Sequence, residues 1–232
     1  MYSHHPLFRW LIGYEAKRKR ALVKAPEGPL KDYLAHSLPS PQCPLAQIEI
    51  LSVDFETTGL DAVNDKLLSV GFVEMSTQYI ALKSCYHKII NTPHALTPDN
   101  VIIHQITDDQ KAQGATLKEV LDDLLKALTG KVMLVHFARI ERQFFQQACL
   151  EVYGVAAPIA MIDTLALAKR RLDKRDVAYD PSELRLSALR HAHKLAPYSA
   201  HNALNDAIAT AELLLAQLSK MPKEVLLQDV LL

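Results

Sequence analysis

A chain of 232 residues, 49% hydrophobic and 22% charged, has room for one well-buried core and excludes the collagen-like, disordered and disulfide-scaffold classes. Its 26 basic and 26 acidic side chains cancel, which disfavours nucleic-acid binding by bulk positive charge alone. The cancellation is uneven: residues 1–31 hold seven basic and two acidic side chains, net +5, and the rest of the chain is −5.

The apolar stretch from Leu7 to Tyr14 is broken by Arg9 and precedes its basic cluster, the reverse of a signal peptide. No uncharged run is long enough to span a bilayer. Cys43, Cys85 and Cys149 are far apart and form no CxxC pair, which points to a reducing, cytoplasmic setting.

In chain order, the spacing predicts helices over 7–23 and 30–37, then a linker over 39–44 whose three prolines stop regular structure. Period-2 alternation of β-branched residues predicts strands over 48–56, 66–75 and 79–90, joined as an antiparallel meander. Helices follow at 99–104 and 117–128, a buried strand at 132–135, a helix at 138–152, and a strand at 158–162 leading into a helix that begins at Asp163. Helices near 183–195 and 202–218 complete the pattern. A meander followed by β-α alternation is an α/β fold with a mixed sheet. Residues 1–45 read as a helical extension with its Pro-rich linker, 46–220 as the main domain and 221–232 as a tail. Phe8, Trp10, Leu11 and Tyr14 beside Arg18 to Arg20 suit either packing on that domain or docking of a partner or nucleic acid, and packing is the preferred reading.

On the first strand, Ile48, Ile50, Ser52, Asp54 and Glu56 share one face, so two carboxylates stand side by side at its end. Their repulsion calls for a cation between them, and an all-oxygen ligand set suits Mg²⁺ or Mn²⁺; without one, they are solvated acids before a turn at Thr57-Thr58-Gly59. Near the C-terminus, Leu204, Ala207, Ile208, Ala211, Leu215 and Leu218 form a helical stripe. His201 and Asp206, five residues apart, are about 140° apart on an ideal helix. They share a site only if His201 sits at or before the first turn. Glu141 is at helical spacing from Phe144, Phe145 and Ala148; it faces inward and needs a partner there, because an unpaired buried charge is costly.

Asp54-Phe-Glu-Thr-Thr-Gly-Leu60 resembles the first motif of the DEDDh 3′→5′ exonucleases, the group of the DNA polymerase III epsilon subunit, and His201-x-Ala-x-x-Asp206-Ala resembles their last. Val101-Ile-Ile-His-Gln-Ile-Thr107 and Ile162-Asp-Thr-Leu165 resemble two segments between them, and the likeness covers roughly 48–218. At the second metal motif the chain departs, with Glu141 where aspartate is usual and Phe137 where asparagine is usual. Asp163 is read as a helix cap rather than a ligand.

The resemblance implies a ribonuclease H-like fold and a two-cation hydrolysis of terminal phosphodiesters of single-stranded DNA or oligonucleotides to nucleoside 5′-monophosphates. In it Asp54, Glu56, Glu141 and Asp206 hold two Mg²⁺ or Mn²⁺ ions, and His201 is the general base, a role suited to imidazole because it ordinarily titrates close to neutral pH. Thr57, Thr58, Gly59 and Leu60 would receive the 3′-terminal nucleotide, with contributions from His104 and His136. The remaining histidines are assigned to loops, strand ends or a polar helix. Two alternatives stand beside this: an attenuated nucleic-acid-binding or partner subunit, and the same chemistry on RNA.

Overall fold

The computed structural model describes residues 6–92, 106–174 and 178–232, with side chains from Gly13 onward. The helix expected over 99–104, with His104, and the residues His4, His5 and His94 lie outside the described residues.

Strands β1 (Ile50–Thr57), β2 (Leu67–Met75) and β3 (Tyr86–Ile89) form the expected antiparallel meander. Strands β4 (Val132–Val135) and β5 (Met161–Asp163) run parallel to β1 on its other side, giving a mixed sheet in the order β3-β2-β1-β4-β5. The helices are α1 (Pro6–Lys24), α2 (Pro29–Ala35), α3 (Asp108–Ala112), α4 (Leu117–Leu128), α5 (Ala138–Tyr153), α6 (Thr164–Asp173), α7 (Leu186–Ala192), α8 (Ala203–Leu218) and α9 (Leu227–Val230). None of them is long and apolar enough to cross a membrane.

Alternation along β1 separates two cores. Leu51, Val53 and Phe55 face α2, α4 and α5, where Leu30, Leu34, Leu124, Leu125 and Phe145 are buried. Ile50 faces α8 and the C-terminal segment, with Ala211, Leu214, Leu227 and Val230. Ser52, Asp54 and Glu56 share that second face, so the polar end of β1 lies on the side covered by the start of α8.

Three expected elements differ. The strand expected over 79–90 is reduced to Tyr86–Ile89, because Leu82–Ser84 form a 3-10 turn whose Ser84 hydroxyl accepts the Glu74 amide at 2.8 Å. The strand expected over 158–162 begins only at Met161, beyond Pro158, which has no N–H for a ladder. The helix expected over 183–195 splits into a 3-10 turn at Pro181–Leu184, capped by Asp180, and α7. Helix α3 was not expected; five residues carry no visible period, and it forms on a Thr107–Gln110 capping box.

The first two helices are built into the domain. Leu30 and Leu34 are fully buried, Tyr33 donates to the Pro158 carbonyl at 3.1 Å and meets Phe145 edge-on at 6.3 Å. Arg18 turns inward, pairs with Glu15 at 2.8 Å and donates to the Leu34 carbonyl, while Lys17, Lys19, Arg20 and Lys24 stay exposed. The tail is equally engaged: Leu45 donates to Val225 at 2.8 Å and Leu232 to Met161 at 3.0 Å. Deleting residues 1–36 removes Leu30, Leu34, Tyr14, Tyr33, Ala21 and Ala25 from the buried core, a loss of roughly 5 kcal/mol or more of burial. The expected result is a fall in Tm of at least 10 °C by differential scanning fluorimetry. An unchanged Tm with a shallower salt dependence of strand binding would instead make the extension a nucleic-acid arm.

Candidate active site

Asp54 and Glu56 reach the site from β1, and Asp206 from the first turn of α8. What lets α8 come so close is Gly71 on β2, paired with Asp54 in the sheet register. A Cβ at Gly71 would lie 2.2 Å from the backbone of Ala203 and Leu204. Ala203, Ala207 and Ala211 continue the close approach, and the Ser52 hydroxyl donates to the Ala207 carbonyl at 2.7 Å. Carboxylate oxygens of Asp54, Glu56 and Asp206 thereby lie within 4.8 Å of one another.

Two donors hold Asp206. The Tyr198 hydroxyl donates to Oδ1 at 2.7 Å and the His201 amide to Oδ2 at 2.8 Å. His201 takes a left-handed backbone, φ 65°, immediately before the Asn202 N-cap, so its exposed ring stands ahead of the helix. This meets the geometric condition set by the five-residue spacing. Asp54 takes no hydrogen bond and forms no ion pair among the described residues. Burial first, then the charges of Asp206, Glu56 and Glu141, push its carboxyl well above the usual range. Burial also raises Asp206, opposed by the Tyr198 hydroxyl.

Glu141, in the first turn of α5, faces inward as expected, but it is not one of the three carboxylates that gather. Its Oε2 is buried without a hydrogen-bond partner among the described residues, and burial, with the charge of Asp163 adding, pushes it up to about 8. Asp163 is a cap, as read from sequence, and serves two helices: its carboxylate accepts from Leu165 at 2.9 Å and from Phe137 and Ala138 at 3.0 Å. Phe137, at φ 77°, occupies the N-cap position of α5.

In the loop after β1, the Thr57 hydroxyl donates to the Gly59 carbonyl at 2.7 Å and the Thr58 hydroxyl to Asp65 at 3.0 Å. Asp65, which carries no sequence signal, lies beneath the loop, and a Cβ at Gly59 would meet its carboxylate at 2.4 Å. Leu60, 72% exposed, remains an open apolar contact. His136 Nδ1 meets the Thr164 hydroxyl at 2.8 Å and Nε2 the Leu184 carbonyl at 3.0 Å, so both ring nitrogens have protein partners. A carbonyl only accepts, so Nε2 carries the proton.

His87, assigned to a strand end, lies on β3 beside a cavity of about 150 Å³ that Glu56, Ser69, Gln110 and His201 also line. Its Nε2 and the Ser69 hydroxyl are buried without hydrogen-bond partners among the described residues. Burial lowers the His87 imidazole and the Glu56 charge opposes this.

The RNase_T family model, described as Exonuclease, matches residues 51–214. The chain is 30% identical over 171 residues to the PolC-type DNA polymerase III of Thermotoga petrophila, covering 74% of this chain and 12% of that protein. It is 24% identical over 177 residues to the DNA polymerase III subunit epsilon of Treponema pallidum, covering 76% of this chain and 80% of that one. The chain therefore spans about an eighth of the PolC-type relative and most of the epsilon subunit. In fold it is similar to the nuclease domain of 3′hExo, described as a DEDDh family member bound to rAMP, with a TM-score of 0.64 and 14% identity over 77% of this chain and 95% of that one. With its mixed, ribonuclease H-like sheet and its paired motifs, the chain belongs to the RNase_T exonuclease family.

Proposed function

We propose that the chain hydrolyses the terminal phosphodiester at the 3′ end of single-stranded DNA or short oligonucleotides, in the cytoplasm, and releases nucleoside 5′-monophosphates. The reading rests on the convergence of Asp54, Glu56 and Asp206 beside His201. Membership of the family implies divalent cations and a nucleic-acid substrate. The donor set fits such ions: three converging carboxylates, of which Asp54 takes no donor among the described residues, and a fourth buried carboxylate, Glu141, whose charge acts on Asp54. Asp54, Glu56 and Asp206 would hold the first ion, Mg²⁺ or Mn²⁺, and Glu141 would help fix a second.

When bound, a pair of such ions neutralises charge on the attacking and leaving oxygens of an in-line displacement. The protein does the rest. His201 accepts the proton of the attacking water, and the 3′ oxygen of the penultimate nucleotide leaves. Leu60 packs against the terminal base and the 57–60 backbone borders its sugar, contacts with little base identity, so trimming is independent of sequence. In this reading residues 46–220 are the catalytic unit, and the exposed basic side of α1 is where a protein partner would bind.

Incubation of 5′-labelled DNA and RNA strands with Mg²⁺ or Mn²⁺ tests this. Wild type should shorten DNA from the 3′ end, and His201→Ala should be at least 100-fold slower. Equal, minimal degradation by both would reject the enzyme reading, and faster loss of the RNA strand would reassign the substrate. The burial of Glu141 favours the attenuated alternative: it raises the carboxyl, so a second ion would have to displace a proton to be held there. A gain of activity in Glu141→Asp would support that reading.

A further inference from the structure

Tyr198 lies outside both acidic motifs, in the loop between α7 and α8, yet its side chain reaches the carboxylate cluster. Its hydroxyl donates to Asp206 Oδ1 at 2.7 Å. Its ring is in turn held by Arg190 of α7, whose guanidinium carbon stands 4.8 Å from the ring centroid. Arg190 is 3% exposed and fixed on several sides. Nη1 donates to the Ala209 carbonyl at 2.8 Å and pairs with Glu212 at 2.7 Å, while Nη2 donates to the Ala196 carbonyl at 2.9 Å. Ala209 and Glu212 belong to α8, the helix that carries Asp206, and Ala196 to the loop that carries Tyr198. The guanidinium thus ties loop to helix, and the phenol reaches from the tied loop back to the carboxylate.

We propose that Tyr198 is a positioning residue for the exonuclease reaction, and that Arg190 and Tyr198 together fix the orientation in which Asp206 meets a divalent cation with Asp54 and Glu56. The inference rests on the reading that Asp206 is a cation ligand. A carboxylate has about four acceptor sites, and the Tyr198 hydroxyl and the His201 amide occupy one on each oxygen. Asp206 therefore cannot rotate about its last torsion without breaking both bonds. The remaining sites are held for Asp54 and Glu56's side of the cluster, where three like charges would otherwise drive the carboxylates apart. Groups that orient a ligand in this way typically alter metal affinity 10–100-fold.

The test is Tyr198→Phe, which keeps the ring and its stacking on Arg190 and removes only the hydroxyl. Mn²⁺ binding to the substrate-free protein, measured by calorimetry, is compared for wild type, Tyr198→Phe and Asp206→Asn. Tyr198→Phe should bind Mn²⁺ at least tenfold more weakly, need correspondingly more Mn²⁺ for half-maximal nuclease activity, and keep its KM for oligonucleotide within twofold. Unchanged Mn²⁺ affinity in Tyr198→Phe, with affinity lost in Asp206→Asn, overturns the positioning role while leaving the cation reading intact. Unchanged affinity in Asp206→Asn overturns both. Should Tyr198→Phe lower Tm so far that binding cannot be read, Arg190→Lys replaces it: the charge is kept, the planar fork over the ring is lost, and weaker Mn²⁺ binding is again expected, unchanged binding overturning the proposal.

Discussion

Gly71→Ala should abolish the active centre with a single methyl group. The added carbon would lie 2.2 Å from backbone atoms of Ala203 and Leu204, and backbone at a helix start cannot swing aside as a flexible side chain can. Overpacking of this kind costs about 1–3 kcal/mol or more and lifts the first turn of α8 from the sheet. Asp206 lies in that turn, and its register against Asp54 is set by the same contact. A displacement of about 1 Å at a reacting centre costs on the order of 100-fold in rate. We therefore expect kcat/KM to fall at least 100-fold and Tm by about 5 °C or more, with loss of the stabilisation that Mn²⁺ gives the wild type. Gly13→Ala is the control: among the described residues nothing lies within 4 Å of a Cβ there, so activity should be unchanged.

Asp54→Asn should eliminate nuclease activity and yet make the metal-free protein more stable. The carboxylates of Asp54, Glu56 and Asp206 lie within 4.8 Å of one another, and Asp54, Asp206 and Glu141 are all raised above their ordinary range, Glu141 to about 8. Groups raised in this way bind more protons in the folded than in the unfolded chain. Their favourable contribution is complete below the unfolded carboxyl range, near pH 4, and is lost as pH rises through the folded values, for Glu141 around 8. In EDTA, the Tm difference between Asp54→Asn and wild type should therefore be small at pH 5 and grow towards pH 8. Removing one of three neighbouring charges there is worth roughly 1–3 kcal/mol, or about 3–8 °C. Millimolar Mn²⁺ should reverse the order at pH 8 by stabilising wild type more than the variant. A difference that shrinks as pH rises would show that the carboxylates are not in conflict.

The parts of this site that were legible in the sequence are those with a local period. Alternation along β1 put Asp54 and Glu56 on one face, and the alanine and leucine stripe located α8 and, with it, Asp206. Strand β4 and helix α4 fall on the expected residues, bounded as they are by clear changes of pattern. The parts that were not legible depend on distance through space. Tyr198 and Arg190 belong to a loop and a short helix with no period that points to Asp206, and Asp65 acts on Gly59 across a turn. Gly71 reads as an ordinary interruption of a strand until α8 is laid across it. His136 is marked by its place in a motif, but no period shows that Thr164 and Leu184 would partner both of its ring nitrogens. Nor could a spacing argument show that Glu141 would stand apart from the three other acids.

The double cap made by Asp163 gives one residue two opposed effects. As a clamp, it joins the starts of α5 and α6 and thereby sets how far Glu141 can advance towards Asp54. As a fixed negative charge, it favours the proton on Glu141 and so resists the ionisation that cation binding requires. The longer glutamate side chain extends the reach from α5, but the clamp that anchors that helix also makes the carboxyl harder to discharge. In the proposed two-ion reading, the hold on a second ion would therefore depend on the joint between two helices beneath the site as well as on Glu141 itself.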